Sequence, residues 1–164
     1  MRVGCVWIEH FPLGVEGGSR ADLRDGPVVL GGHPWERKAV LDCSPEAERS
    51  GVRVGMELRQ AHQLCPEAVF LPARAGVYEE TFDKVLETLD RFSPAVERAE
   101  LGLAFLDIGG NEDEPVLARR IGEVVEAETG FRPRTISGTA RPSSRPIRAA
   151  KSRCPRTARA TWVR

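Results

Sequence analysis

Residues 92–110 read Phe92-Ser93-Pro94-Ala95-Val96-Glu97-Arg98-Ala99-Glu100-Leu101-Gly102-Leu103-Ala104-Phe105-Leu106-Asp107-Ile108-Gly109-Gly110. This stretch reads as two strands, Ala95 to Leu101 and Leu103 to Ile108, ended by the glycine pair. Working outward, the preceding helix spans about Tyr78 to Phe92, with Phe82, Val85, Leu86, Leu89 and Phe92 on one face at helical spacing. A second amphipathic helix follows from Pro115 to Thr129, turning Val116, Leu117, Ile121, Val124 and Val125 inward and ending at Gly130. Residues 2–9 are β-branched or aromatic in loose alternation, which predicts a first strand, and one more strand begins after the last helix. The order is β-α-β-β-α-β, the ferredoxin-like split, so the expected class is α/β in the α+β sense.

Between the first strand and the first of these helices lies an insertion with its own small α/β pattern. Pro12, Gly14, Gly17 and Gly18 interrupt any helix there. Asp25-Gly26 precedes a short strand ending at Leu30, and a second strand is expected from Lys38 to Leu41. Ser44 can cap a helix whose first position suits Pro45, because the missing N–H has no helical partner there. That helix closes at Gly51. Gly55-Met56 opens another, which runs through Leu64 and stops before Pro66; Val69 to Leu71 is a buried strand.

The 164 residues suit one ordinary domain carrying a small insertion. No apolar run approaches the roughly 18 residues of a membrane span. The N-terminus meets Glu9 and His10 too early for a signal peptide, so a cytoplasmic protein is expected. Cys5, Cys43, Cys65 and Cys154 form no C-x-x-C pair, which argues against a zinc site or a disulfide framework. His62 and Cys65 have a spacing that suits one helical face, but a single such pair reads as packing. The formal net charge of zero hides an asymmetry: through Glu128 the chain has 24 acidic and 14 basic residues, a balance of −10, and the last 36 residues hold ten Lys/Arg and no acid.

Several segments together resemble the N-terminal region of Y-family (UmuC/DinB-like) translesion polymerases. Residues 23–32, LRDGPVVLGG, are similar to that family's L-x-x-x-P-V-x-V-G strand. Residues 44–56, SPEAERSGVRVGM, resemble its S-Y-E-A-R-x-x-G-V-x-x-G-M fingers motif. Leu64-Cys65-Pro66 fits its C-P, Tyr78 its palm helix, and residues 92–107 its F-[ST]-P-x-V-E … S-x-D-E-A-[FY]-L-D hairpin. The resemblance implies a palm over residues 1–11 and 77–134, a fingers insertion over 12–76, and a chain that stops before the thumb and little-finger domains.

The family joins nucleotides by two-metal chemistry, with carboxylates holding two Mg²⁺ ions. Read by resemblance, the first-strand ligand is replaced by Trp7 and the hairpin pair by Gly102 and Leu103. The steric gate falls at Pro12, and the fingers Tyr and Arg that contact the triphosphate correspond to Pro45 and Glu48. A carboxylate there repels phosphate. No cofactor is expected, although Mg²⁺ serves active relatives. Glu9 and Glu100 are residual acids that offer an alternative reading, an active translesion polymerase with a displaced metal site; Asp107 reads as a structural hairpin residue.

The pattern V-W-I-x-x-F-P from Val6 to Pro12, with E-L-G-x-A-F-L-D from Glu100 to Asp107, resembles the ImuB-type branch. That branch keeps the shape without the acids and serves DNA repair as an adaptor. Its partners are DNA, a replicative-type polymerase, the sliding clamp and other mutasome components, which implies a nucleoid-associated protein and no membrane. Arg37, Arg53 and Arg74 are weak candidates for phosphate contacts. The tail over 135–164 admits three readings: a disordered nucleic-acid arm, a divergent terminus, or an out-of-frame translation, for which its Arg, Ala, Pro, Ser and Thr bias speaks.

Overall fold

Nearly continuous apolar runs in residues 3–8 and 103–106 build the centre of a sheet, and the amphipathic stretches 78–92 and 115–129 carry the matching apolar stripes. The computed structural model describes residues 2–19, 26–109 and 113–139. In chain order the elements are β1 (Arg2–Trp7), α1 (Phe11–Ser19), β2 (Val28–Leu30), β3 (Asp42–Cys43), α2 (Pro45–Arg49), α3 (Leu58–Leu64), β4 (Val69–Leu71), α4 (Ala75–Leu89), β5 (Val96–Glu100), β6 (Leu103–Asp107), α5 (Glu114–Thr129) and β7 (Arg134–Thr139). The chain divides into two compact units, residues 1–9 with 81–164 and residues 10–80, the second boundary falling within α4. The sequence reading sets these divisions at 11/12 and 76/77.

The first unit holds a four-stranded sheet in the order β5-β6-β1-β7, with β1 antiparallel to both neighbours. This is the strand order of the expected ferredoxin-like split. Val3, Cys5, Val6 and Trp7 of β1 and Leu103 to Leu106 of β6 are all buried, as are Phe82, Val85, Leu89, Ile121 and Val125 of the helices. Burying each large aliphatic or aromatic side chain stabilises by about 1.5–3 kcal/mol. Arg98 on β5 lies over the Phe82 ring of α4, and Glu128 of α5 takes the Arg91 guanidinium and the Thr88 hydroxyl. Gly130 ends α5 in the left-handed conformation (φ 76°) expected of a glycine cap.

The second unit holds a three-stranded sheet, β3-β2-β4, with β2 parallel to β4. Its core is Val29, Val40, Cys43, Ala47, Val52, Leu58, Ala61 and Cys65. Ser44 caps α2 as expected, its hydroxyl accepting from the N–H groups of Ala47 and Val28.

The structure corrects the sequence reading at several points. A helix, α1, forms across Pro12, Gly14, Gly17 and Gly18. Pro12 sits in its first turn, where no donor is missed, and a Cβ at Gly17 or Gly18 would meet nothing. Each glycine weakens the helix by about 0.5–1 kcal/mol, which the buried bonds of Glu16, described below, offset. Lys38 to Leu41 makes no named strand: Lys38 and Val40 bond residues 55–58 around the single Ala39–Glu57 bridge, and Leu41 turns to Leu30, so the strand that pairs with β2 falls one step later, at Asp42–Cys43. α3 begins at Leu58 rather than Gly55, whose φ of 85° is not helical. α4 lies about one turn earlier than Tyr78 to Phe92.

The expected tail begins at 135, whereas β7 runs to Thr139 and pairs along the whole of β1. The strand expected after α5 thus runs further than its polar edge-strand sequence suggests, because backbone pairing needs no apolar side chain. The rest of the tail from 140, with Leu23, Arg24, Asp25 and Cys154, lies outside the described residues. No helix among the described residues is long and apolar enough to cross a membrane.

Candidate functional site

Register places one row of residues straight across the four-stranded sheet. Glu100 lies opposite Leu103, Leu103 opposite Trp7, and Trp7 opposite Arg134. Residues directly opposite share a face. The topology therefore brings together two of the three positions that the resemblance assigns to metal ligands, Trp7 and Leu103. The third, Gly102, adjoins them in the β5–β6 turn at φ 80°, its carbonyl accepting from the Ile8 N–H at 2.7 Å.

The occupants do not suit a hard cation. Leu103 is 1% and Trp7 8% exposed. Leucine and glycine side chains offer no oxygen, and an indole nitrogen only donates. Glu9 lies past the end of β1 and pairs with Arg134 (Oε2 to Nη2, 3.6 Å), whose guanidinium stands 5.8 Å from the centre of the Trp7 ring. A bulge between Arg98 and Glu100 sets the register of Glu100. Asp107 is opposite Val3, four residues along the strand or about 13 Å from the row, and its carboxylate accepts from the Gly109 N–H. Among the described residues, no three His, Cys, Asp or Glu side chains are grouped to hold a metal. The side chains at the centre of the row, Trp7 and Leu103, do not fit Mg²⁺.

In the 10–80 unit, Pro12 lies in the first turn of α1 and Pro45 opens α2. Glu48 is on α2; the neighbouring guanidinium, Arg49, turns back to Glu46 at 2.7 Å. Of the three candidate phosphate contacts, Arg37 is exposed. Arg53 donates to the carbonyls of Glu48 and Val52, both at 2.6 Å, and so fastens the end of α2. Arg74 makes a bidentate pair with buried Glu16, at 2.9 and 2.8 Å. A phosphate would have to compete with that charge-assisted fork.

Sequence reasoning missed two buried carboxylate centres in this unit. Glu16, 4% exposed, accepts from Arg74 and from the Tyr78 hydroxyl at 2.5 Å, while that hydroxyl accepts from the Arg74 N–H. Burial first, and then the Glu16 bond, pushes the Tyr78 phenol up to about 12; bonding to Glu16 raises Arg74 above its ordinary value. Asp42 accepts from the His10 ring at 2.8 Å and from the N–H groups of Leu13 and Cys43. His10 has φ 49°, unusual for a residue with a side chain, and its ring bond to Asp42 helps hold the turn into α1. No spacing in the sequence announces either centre, since each joins residues about 30 to 60 positions apart. The buried Cys43 thiol is pushed up to about 12, chiefly by desolvation, and is not a nucleophile.

The ferredoxin-like sheet with its small α/β insertion is the palm-and-fingers fold of the Y-family DNA polymerases. DinB from Sulfolobus solfataricus superposes with a TM-score of 0.78 at 25% identity, over 86% of this chain and 43% of that one. The insertion ternary complex of Dbh DNA polymerase gives 0.76 at 25%, over 86% and 43%. A family model described as impB/mucB/samB matches residues 6–139, and the chain belongs to that family. It is 37% identical over 123 residues to a DNA polymerase IV of Dehalococcoides mccartyi, covering 75% of this chain and 31% of the relative. It is 36% identical over 123 residues to the DNA polymerase IV of Exiguobacterium sibiricum, covering 75% and 34%. The chain thus spans about a third of the length of these curated relatives.

Proposed function

We propose that this chain is a non-catalytic Y-family module of DNA damage tolerance, acting as an adaptor in a mutagenic repair complex. The observation that carries this reading is the row through the sheet, where Leu103 and Trp7 stand buried at the positions the family gives to metal-binding acids. Pro45 and Glu48 support it from the nucleotide side, since neither can clamp a triphosphate as the family's Tyr and Arg do, and Pro12 stands where the family's aromatic steric gate falls. In this reading residues 1–11 and 77–134, extended to 139 by β7, act as palm and residues 12–76 as fingers. The partners are DNA, a replicative-type polymerase and the sliding clamp, and the site of action is the cytoplasmic nucleoid.

The polymerase names of the curated relatives favour a second reading, DNA synthesis with displaced acids. Primer extension by the longest in-frame product of the gene, with Mg²⁺ or Mn²⁺, separates the two. The adaptor reading expects no template-dependent incorporation. Incorporation that Glu9→Ala or Glu100→Ala abolishes would overturn it.

A further inference from the structure

The loop leaving β2 carries an aromatic side chain that stands largely exposed. Gly31 and Gly32 both donate their N–H groups to the Leu71 carbonyl, at 3.0 and 2.9 Å. A Cβ on Gly31, whose φ is +150°, would lie 2.6 Å from the Ala39 carbonyl oxygen, so the strand can leave β2 along this path only with glycine there. The Glu36 carboxylate then accepts from the His33 N–H at 2.9 Å and pairs with Lys38. The Lys38 ammonium, with the His33 N–H behind it, lowers the Glu36 carboxyl below its ordinary value, so the clasp is charged at neutral pH. The product of this bracing is Trp35, 78% exposed, with its ring stacked on His33 at 4.6 Å and 6°. One indole face is backed by imidazole, and exposure of this extent leaves the opposite face to solvent.

We propose that Trp35, braced by His33, is a stacking platform for an unpaired base of single-stranded DNA, with Arg37 taking the neighbouring phosphate. The choice of nucleic acid over protein follows from what surrounds the ring. A tryptophan that anchors a protein interface sits among apolar neighbours that seal it from water. In sequence Trp35 stands among His33, Pro34, Glu36, Arg37 and Lys38, a segment of formal charge +1, and its stacked neighbour is the polar ring of His33. Stacking on a base needs only a flat, exposed ring and a nearby cation, and tolerates any sequence. The proposal rests on the DNA partnership of the reading above and adds its contact point, on residues that reading does not use for catalysis.

The test measures anisotropy of a labelled oligo-dT of about 16 nucleotides and of a blunt duplex, titrated with the whole 164-residue chain. Trp35→Ala is expected to weaken oligo-dT binding about 5- to 100-fold, from about 1–3 kcal/mol per stacked base, and to leave duplex binding unchanged. Trp35→Phe should recover most of the affinity, while oligo-dT should quench tryptophan emission less in that variant than in the parent. Because Trp35 is exposed, both variants should keep the parent circular dichroism and melting temperature. Parent-like oligo-dT affinity in Trp35→Ala overturns the proposal and turns attention to a protein partner. So does a proportional loss on duplex, or a parent chain that binds no oligo-dT. None of these results bears on primer extension, so the adaptor reading and this contact fail separately.

Discussion

The two units treat buried charge in opposite ways. In the 10–80 unit, Glu16 and Asp42 are both nearly inaccessible, and their carboxylates meet donors from Arg74, Tyr78, His10, Leu13 and Cys43. In the sheet unit the centre of the cross-strand row is leucine and tryptophan, with charged groups only at its ends, Glu100 and Arg134. A buried carboxylate is stable only where donors surround it. Among the described residues no buried side-chain polar atom lacks a partner. This chain can therefore house buried acids and does so. At the centre of the row leucine and tryptophan stand instead, so the difference between the units is one of place and not of what the chain can bury.

The most direct way to break this contrast is to put an acid back. Trp7→Asp removes a large buried ring and leaves a carboxylate between Leu103 and Arg134, without the several converging donors that Glu16 and Asp42 have. We expect a loss of about 3–5 kcal/mol, the range of large core truncations, read from the midpoint of urea unfolding. A variant as stable as the parent, and one that gains a saturable Mn²⁺ site, would show that the row is still shaped for metal. A smaller effect is expected from Glu16→Ala. It leaves the Tyr78 hydroxyl and the Arg74 fork without their acceptor, a loss of about 2–3 kcal/mol by the usual worth of charged hydrogen bonds. Glu16→Gln should recover part of it, because one oxygen can still accept. Equal stability in Glu16→Ala and the parent would deny that this network holds α1 in place.

Much of the sheet was legible because turn glycines and apolar periods act locally. Gly102, Gly109 and Gly130 punctuate β5, β6 and α5 where the pattern says they should, and Ser44 before Pro45 marks α2. The failures have long-range causes. α1 survives its proline and glycines because Glu16 is tied to residues 58 and 62 positions away. The length of β7 escapes notice because its pairing with β1 is made by backbone, and residues 135–139 offer few apolar side chains. At the site, the sequence motifs point to Trp7, Gly102 and Leu103 one by one, yet nothing in the sequence shows that Arg134 lies across from Trp7. That pairing follows from sheet order.

Arg134→Ala gives the smallest effect and the finest test. The guanidinium stands 5.8 Å from the Trp7 ring centre and 3.6 Å from a Glu9 oxygen, with its side chain 68% exposed. An exposed cation–π contact contributes about 0.5–1 kcal/mol, and an exposed ion pair about 0–1 kcal/mol. Together they predict a loss near 1 kcal/mol in urea unfolding, shrinking in high salt as the ion pair is screened. Arg134→Lys should do little better than alanine, because a compact ammonium does not spread over an indole face as a planar guanidinium does. If Arg134→Ala instead costs as much as Trp7→Asp, the guanidinium is structural and the row is held together by charge. In that case the sheet unit and the 10–80 unit would differ in geometry but not in kind.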